Sequence, residues 1–257
     1  MLVCNTVIVV SMAEAIVKLG GSEGLSSVGG KAYSLARLIN FGYHVPDCFV
    51  ITTAAYDNMS TELESAILSS FKELGSPLVA VRSSAVNEDG QKDAWAGQFD
   101  TFLNVNESNL IDKITACWQS ALSDRAKSYA SQKGLEAGAV AVIVQKMINA
   151  EASGVAFSAH PVTNDLQKIV IEATLGLGDK LVSGEITPDT YIMDKETLTI
   201  TESHILAKPM LDAAQLKEIG KSVSSIEQSF GFPVDVEWTW ANGKLFIMQS
   251  RPITTLG

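Results

Sequence analysis

The sequence predicts a fold that mixes helices with strands and packs one large core or two smaller ones. The chain has 257 residues, 46% of them hydrophobic and 19% charged, enough apolar material for a sizeable interior. Its 19 glycines suit a loop-rich enzyme. Short β-branched apolar runs, at residues 78–81 and 139–147, alternate with stretches in which apolar residues recur every three or four positions. These are the signatures of buried strands and of one-sided helices.

Taken in order, residues 1–14 read as a leader or edge strand. Val7 to Val10 lie in an apolar run with no Lys or Arg before it, and the first cation is Lys18. A secretory n-region is therefore missing, and the run is too short to span a bilayer. An ordered domain is expected from about Ala15. Val28-Gly29-Gly30-Lys31 leads into AYSLARLINFG, where Leu35, Leu38 and Ile39 keep helical spacing and Gly42 marks the stop. Two glycines and a lysine are thus expected at a helix N-terminus, where N–H groups and the helix dipole favour anions. It is no Walker loop, because the GxxxxGKS/T spacing is absent. Pro46 turns the chain into a strand at 48–52, and a helix through Leu63, Ile67, Leu68 and Phe71 follows.

The stretch LVAVRSSAVNEDGQKDAWAGQFDTFLN, residues 78–104, is the most informative. Its strand is expected to end at Arg82-Ser83-Ser84, so that a guanidinium stands at the strand mouth. Hydroxyls and a loop of Gly90, Gly97, Gln98 and Thr101 come next, a combination suited to an oxyanion. An Arg82 paired to Glu88 or Asp89 in a surface loop accounts for the same residues. Residues 108–134 carry a helical stripe of Leu110, Ile114, Trp118 and Leu122, with Trp118 and Tyr129 read as packing aromatics. The continuous run AVAVIVQKM introduces the second half, which divides the chain into residues 15–140 and 141–257. Backbone groups near Gln145 to Ile148 suit the edge of a purine; an ordinary buried strand explains them equally well.

IVIEATLGLGDKLVSGEITPDTYIMD reads as a strand, a turn with Gly176, Gly178 and Gly184, and a strand after Pro188-Asp189. Such glycines permit close backbone approach to a ligand. Glu172 can accept from an amino or hydroxyl group. A helix over 212–230 buries Leu216, Ile219, Val223 and Ile226. The chain finishes with PVDVEWTWANGKLFIMQSRPIT, a hairpin about Asn242-Gly243. Asp235 and Glu237 share one face of its first strand, Gln249 and Arg251 one face of the second. Either these residues form a magnesium and phosphate site, hard oxygens for the metal and a guanidinium for phosphoryl oxygens, or Glu237 pairs with Arg251 on a solvated face. Alternation alone does not separate the two.

The net charge of −10 argues against nucleic acid or an acidic membrane as partner, yet allows a nucleotide bound locally with magnesium. Cys4, Cys48 and Cys117 form no CxxC pair and no metal-ligand spacing with the 3 histidines, so neither a zinc site nor a disulfide framework is indicated. The expected compartment is a reducing cytoplasm.

VGGKAYSLARL, VPDCFVITTAAY, VAVRSSAVNED, AGQFDTFLNV, VIVQKMI, SGVAFSAHP, EATLGLGDKLVSGEITPD and DVEWTWANGKLFIMQSRPI, in that order, resemble the ATP-binding N-terminal domain of the pyruvate phosphate dikinase and phosphoenolpyruvate synthase family. The resemblance covers residues 28–254. It implies an α+β class with an ATP-grasp-like fold, two lobes clamping a nucleotide, and ATP with Mg²⁺ as cofactors. It also implies Lys31 and Arg82 as triphosphate-binding cations, Glu237 and Gln249 as magnesium ligands, Arg251 as a second phosphate-binding arginine and Asp235 as an acidic companion. Gly97, Gln98, Asp100 and Thr101 match the loop over the phosphates; Gln145, Met147, Ile148 and Glu172 match the adenosine pocket.

Full-length members of that family also carry a swivelling phosphohistidine domain and a barrel that binds pyruvate or phosphoenolpyruvate. Here the resemblance covers the ATP-binding domain alone, and His44, His160 and His204 lie outside any TSH-type phosphohistidine context. The implied function is the ATP-binding subunit of a split dikinase or synthase. It would phosphorylate a histidine on a separate phosphohistidine-domain protein, or act with a pyruvate-barrel-type subunit, releasing AMP. A direct small-molecule kinase, an ATP-grasp ligase releasing ADP and a non-catalytic ATP-binding regulatory module are the alternatives.

Overall fold

The structure, a computed structural model, describes residues 12–20, 24–56, 58–86, 101–121 and 139–256. The expectations at Glu88, Asp89, Gly90, Gly97, Gln98, Asp100, Leu122 and Tyr129 fall outside these residues, as do residues 1–11 of the expected leader.

Eleven strands form two sheets among the described residues. β1 (Ile16–Lys18), β2 (Cys48–Ile51), β3 (Val79–Ala85), β4 (Thr101–Val105) and β5 (Val140–Lys146) make the first, in the order β1-β2-β5-β3-β4. β6 (Ala152–Phe157), β7 (Lys168–Leu175), β8 (Asp189–Asp194), β9 (Ile200–His204), β10 (Val234–Ala241) and β11 (Lys244–Pro252) make the second, in the order β11-β10-β6-β7-β8-β9. Every neighbouring pair is antiparallel. The class is α+β, as expected.

The first sheet is covered on both faces. On one, Phe49, Ile51, Val79, Val81, Val142 and Val144 pack on Leu63, Ile67 and Phe71 of the helix Thr61–Glu73 and on Ile114 and Trp118 of the helix Leu110–Ala121. On the other, Cys48, Val50, Ala141 and Ile143 meet Val28, Ala32, Leu35 and Leu38 of the helix Leu25–Asn40, in a core that runs on into the second sheet. Burial on two faces explains why residues 139–147 show no alternation. β5 lies between β2 and β3, so it belongs to the first sheet, and the passage to the second comes between Lys146 and Ala152. A continuous apolar run carries no sign of which strand it will join.

The second sheet has one apolar face and one polar face. Ile169, Ile171, Tyr191, Met193, Val236 and Trp238 pack against Leu216, Ile219, Val223 and Ile226 of the helix Ala213–Phe230. That helix starts at an Asp212–Gln215 capping box and ends at Gly231 in the left-handed region, φ 79°; an N-cap of this kind contributes about 1 kcal/mol. The hairpin between β10 and β11 has Asn242 at φ 51° and Gly243 at φ 69°, the pair of positive values that a tight two-residue turn requires.

The helix Leu25–Asn40 is interrupted at Gly29, whose φ of 76° and ψ of 171° are non-helical. A regular segment therefore opens at Gly30, with Lys31 in its first turn, which is where the sequence leads one to expect the helix start. Among the described residues no helix is long and apolar enough to cross a membrane.

Candidate active site

The site grows out of strand register. Gln249 on β11 stands opposite Glu237 on β10, Glu237 opposite Val155 on β6, and Val155 opposite Glu172 on β7. Opposed residues share a face, so one row, polar except for Val155, crosses the sheet, with about 10 Å, two strand spacings, between Glu172 and Glu237. Two residues along, Asp235 stands opposite Arg251 on the same face. The register slips between Glu237 and Trp238, leaving Met248 as an extra residue on β11. A bulge at this point twists the strand and turns its groups towards a neighbour.

The neighbour is Arg82, which arrives from the first sheet. Its Nη1 donates to the Met248 carbonyl at 3.2 Å; its Nη2 donates to Glu237 Oε2 at 3.1 Å and to Gln249 Oε1 at 2.8 Å. Beside this triad, Arg251 Nε donates to Asp235 Oδ2 at 2.8 Å. The expectation of a strand mouth at Arg82 is corrected here. β3 runs on to Ala85, with Ser83 opposite Val142 and Ser84 opposite Ala141, so Arg82 is a mid-strand residue. Both serines are buried and continue the pairing with β5, and the Ser84 hydroxyl accepts from the Ala32 N–H.

Electrostatics divides the three carboxylates. Burial pushes Glu237 up, but Arg82, Arg251 and Lys31 together outweigh it and hold its carboxyl below the ordinary range. Asp235 goes the other way: burial raises it, Arg251 offsets that only in part, and Glu237 adds to the rise. Its Oδ1 is buried with no hydrogen-bond partner. Glu172 is raised by burial and then by Asp235.

The shift at Glu172 has a measurable sign. Its carboxyl lies above the unfolded value of 4.5, so its contribution to stability is fully present below that pH and is lost as pH rises through the raised value. Glu172→Gln should therefore melt progressively higher, relative to the parent, as pH goes from about 4 to about 7. A melting difference that stays constant across calorimetry at those pH values would refute the shift.

Magnesium fits the donor set. Glu237 Oε2 and Gln249 Oε1, an anionic and a neutral hard oxygen, both contact one nitrogen, Arg82 Nη2, so the pair would hold a magnesium ion once that guanidinium is displaced. Magnesium commonly takes one or two protein oxygens and leaves its other positions to phosphates and water. Asp235 is committed to Arg251.

Of the other residues singled out from sequence, Thr101 lies opposite Arg82, on β4. Lys31 is half-buried and close enough to act on Glu237. Gln145 is fully buried opposite Cys48 and Ala80, on the same face of the first sheet as Arg82; its Oε1 has no partner. Met147 and Ile148 are half-buried in the link between the sheets, and Glu172 sits two strands from Glu237. Gly97, Gln98 and Asp100 are outside the described residues. Sequence reasoning missed the Met248 carbonyl and two serines: Ser84, whose Oγ accepts from the Ala32 N–H, and Ser34, which donates to the Ser250 carbonyl. The doubled serine after Arg82 was visible, but nothing in it named a helix as partner.

The sequence matches the family described as pyruvate phosphate dikinase, AMP/ATP-binding domain, over residues 57–210 and 206–257. Phosphoenolpyruvate synthase of Pyrococcus furiosus is 38% identical over 240 residues, 77% of this chain and 29% of that protein. The prodigiosin synthesizing transferase PigC of Serratia marcescens is 32% identical over 295 residues, 93% of this chain and 33% of that protein. The chain thus spans between a quarter and a third of the length of these relatives. The crystal structure of D-alanine–D-alanine ligase from Bacillus anthracis covers 88% of this chain and 57% of its own at 14% identity and a TM-score of 0.45. With most of its length matched by one family, the chain belongs to the pyruvate phosphate dikinase AMP/ATP-binding domain family.

Proposed function

We propose that the chain binds Mg-ATP between its two sheets, in an ATP-grasp-like manner, and transfers the β,γ-diphosphoryl group from it to a histidine on a separate polypeptide, with AMP as the leaving group. The observation that carries this is the gathering of Lys31, Arg82 and Arg251, from three distant parts of the chain, around an ionised Glu237. Phosphoryl transfer asks chiefly for positioning and for neutralisation of charge on the phosphoryl oxygens.

Each residue has a part in this reading. Magnesium held by Glu237 and Gln249 would neutralise phosphate oxygens. Arg82 exchanges its bonds to Glu237 and Gln249 for bonds to the triphosphate, and Arg251, already oriented by Asp235, grips the transferring group. Lys31 brings its charge from the first turn of its helix segment, and the loop with Gly97, Gln98, Asp100 and Thr101 covers the phosphates. The adenosine lies against Gln145, Met147, Ile148 and Glu172, where the buried Gln145 Oε1 lacks a donor. The two lobes meet at the link after β5. The histidine sits on a phosphohistidine-domain protein or pyruvate-barrel-type subunit in the cytoplasm; of the two phosphoryl groups it receives, the outer passes to water or inorganic phosphate and the inner to pyruvate or another small acceptor.

Nucleotide products separated after incubation with Mg²⁺ and ATP, with and without a phosphohistidine-domain protein, test this. AMP formed only with that protein is the expected result. ADP formed without it would replace the reading by a small-molecule kinase or ligase, and ATP bound but never turned over would replace it by a regulatory module.

A further inference from the structure

The helix segment that carries Lys31 has an unusual beginning. Gly29, at φ 76°, is its last non-helical residue. Gly30, Lys31 and Ala32 are then its first three helical positions. A capping side chain normally accepts from the N–H of the second or third such position, but Gly29 has no side chain to do so. The bond is made nevertheless: Ser84 Oγ accepts from the Ala32 N–H at 3.1 Å, with Ser84 fully buried. The cap comes from another element, β3, two residues beyond Arg82.

Gly29 makes the close approach possible. A Cβ there would lie 2.1 Å from the Ser84 carbonyl oxygen, so no residue with a side chain lets strand and helix come this near. One turn further, Ser34 Oγ donates to the Ser250 carbonyl at 2.5 Å, and Ser250 lies between Gln249 and Arg251. The helix segment is thereby tied at one point to the strand bearing Arg82 and at another to the strand bearing Gln249 and Arg251.

We propose that Ser84 is a positioning residue for nucleotide binding: by capping the Lys31 helix from β3, it sets the Lys31 charge at a fixed offset from Arg82, so that both cations meet the same polyphosphate. Ser84 and Arg82 lie on one face of the strand, two residues or about 7 Å apart, a spacing within the reach of one triphosphate chain. The proposal rests on the reading of Lys31 as a phosphate-binding cation.

Calorimetric titration of ATP and of adenosine into the parent, Ser84→Ala, Lys31→Met and the double variant tests it. Loss of a cap costs about 1 kcal/mol. ATP affinity should fall about fivefold to tenfold in Ser84→Ala while adenosine affinity is unchanged. The Ser84→Ala effect should vanish in the Lys31→Met background, because two residues that act through one contact are not additive. Ser84→Cys, which keeps the volume but accepts poorly, should show the same selective loss and guards against a variant that fails to fold. Equal losses for ATP and adenosine, or a Ser84→Ala effect that persists undiminished beside Lys31→Met, would overturn the positioning role while leaving Lys31 as a phosphate ligand. A Lys31→Met variant with the parent's ATP affinity would overturn the reading of Lys31 and the proposal with it.

Discussion

Arg82→Ala should lower phosphate transfer from ATP by about a hundredfold to a thousandfold, the range seen when one preorganised charge donor is removed, and should destabilise the protein by about 3 kcal/mol. The two effects share a cause. Arg82 supplies three hydrogen bonds, to the Met248 carbonyl, Glu237 and Gln249, and its side chain is only 11% exposed against 20% for Glu237. Removing it leaves a largely enclosed carboxylate without its nearest cation, with Arg251 and Lys31 as the remaining positive influences. A domain of this size should then melt roughly 6–12 °C lower. Glu237 is held below its ordinary value, so its stabilising share is present above the unfolded pKa of 4.5 and is lost as pH falls through the folded one. The melting gap between parent and variant should accordingly be widest near neutrality and shrink towards acid. Arg82→Lys should recover part of the stability, since the charge returns, but little of the turnover, since an ammonium cannot span two oxygens as a planar fork does. Full turnover in Arg82→Ala would remove this residue from the chemistry.

Glu237→Gln should damage turnover at least as much, and it separates two roles for the carboxylate. As a magnesium ligand, Glu237 lowers the barrier through the metal it holds, and its loss should reduce turnover by several orders of magnitude. As a mere counterion to Arg82, it competes with the triphosphate for that guanidinium, and its loss should tighten nucleotide binding. The distinguishing measurement is affinity for ATP with and without Mg²⁺. Weaker binding with the metal, together with equal or tighter binding without it, is the expected result. Tighter binding under both conditions would reduce Glu237 to a counterion.

Much of the local structure was legible because it depends on neighbours in sequence. Asn242-Gly243 announces a tight hairpin, since few other pairs adopt positive φ twice in succession. Asp212, Gln215 and Gly231 bracket a helix whose apolar residues recur at its period. Alternation on β10 and β11 places Asp235 with Glu237 and Gln249 with Arg251, and the register then brings each pair opposite the other.

What was not legible concerns partners far apart along the chain. Residues 139–147 read as a strand, yet nothing in a uniformly apolar run says that it lies between β2 and β3. Arg82 read as a phosphate-binding cation at a strand mouth, yet its partner Glu237 is 155 positions away and its strand continues past it. Ser84 read as one hydroxyl of a loop, yet it caps a helix 52 positions before it.

The sequence by itself determined the family, the α+β class and the identities of the charged residues, because these follow from ordered motifs and from short-range periodicity. The tertiary structure alone decided that Arg82 meets Glu237 and Gln249, that Arg251 meets Asp235, and that the N–H of Ala32, next to Lys31, donates to a serine of β3. Periodicity tells a residue which face of its own element it occupies. Packing two sheets about one helix decides which faces meet, and charge neutralisation of an enclosed carboxylate decides which of the available cations stands beside it.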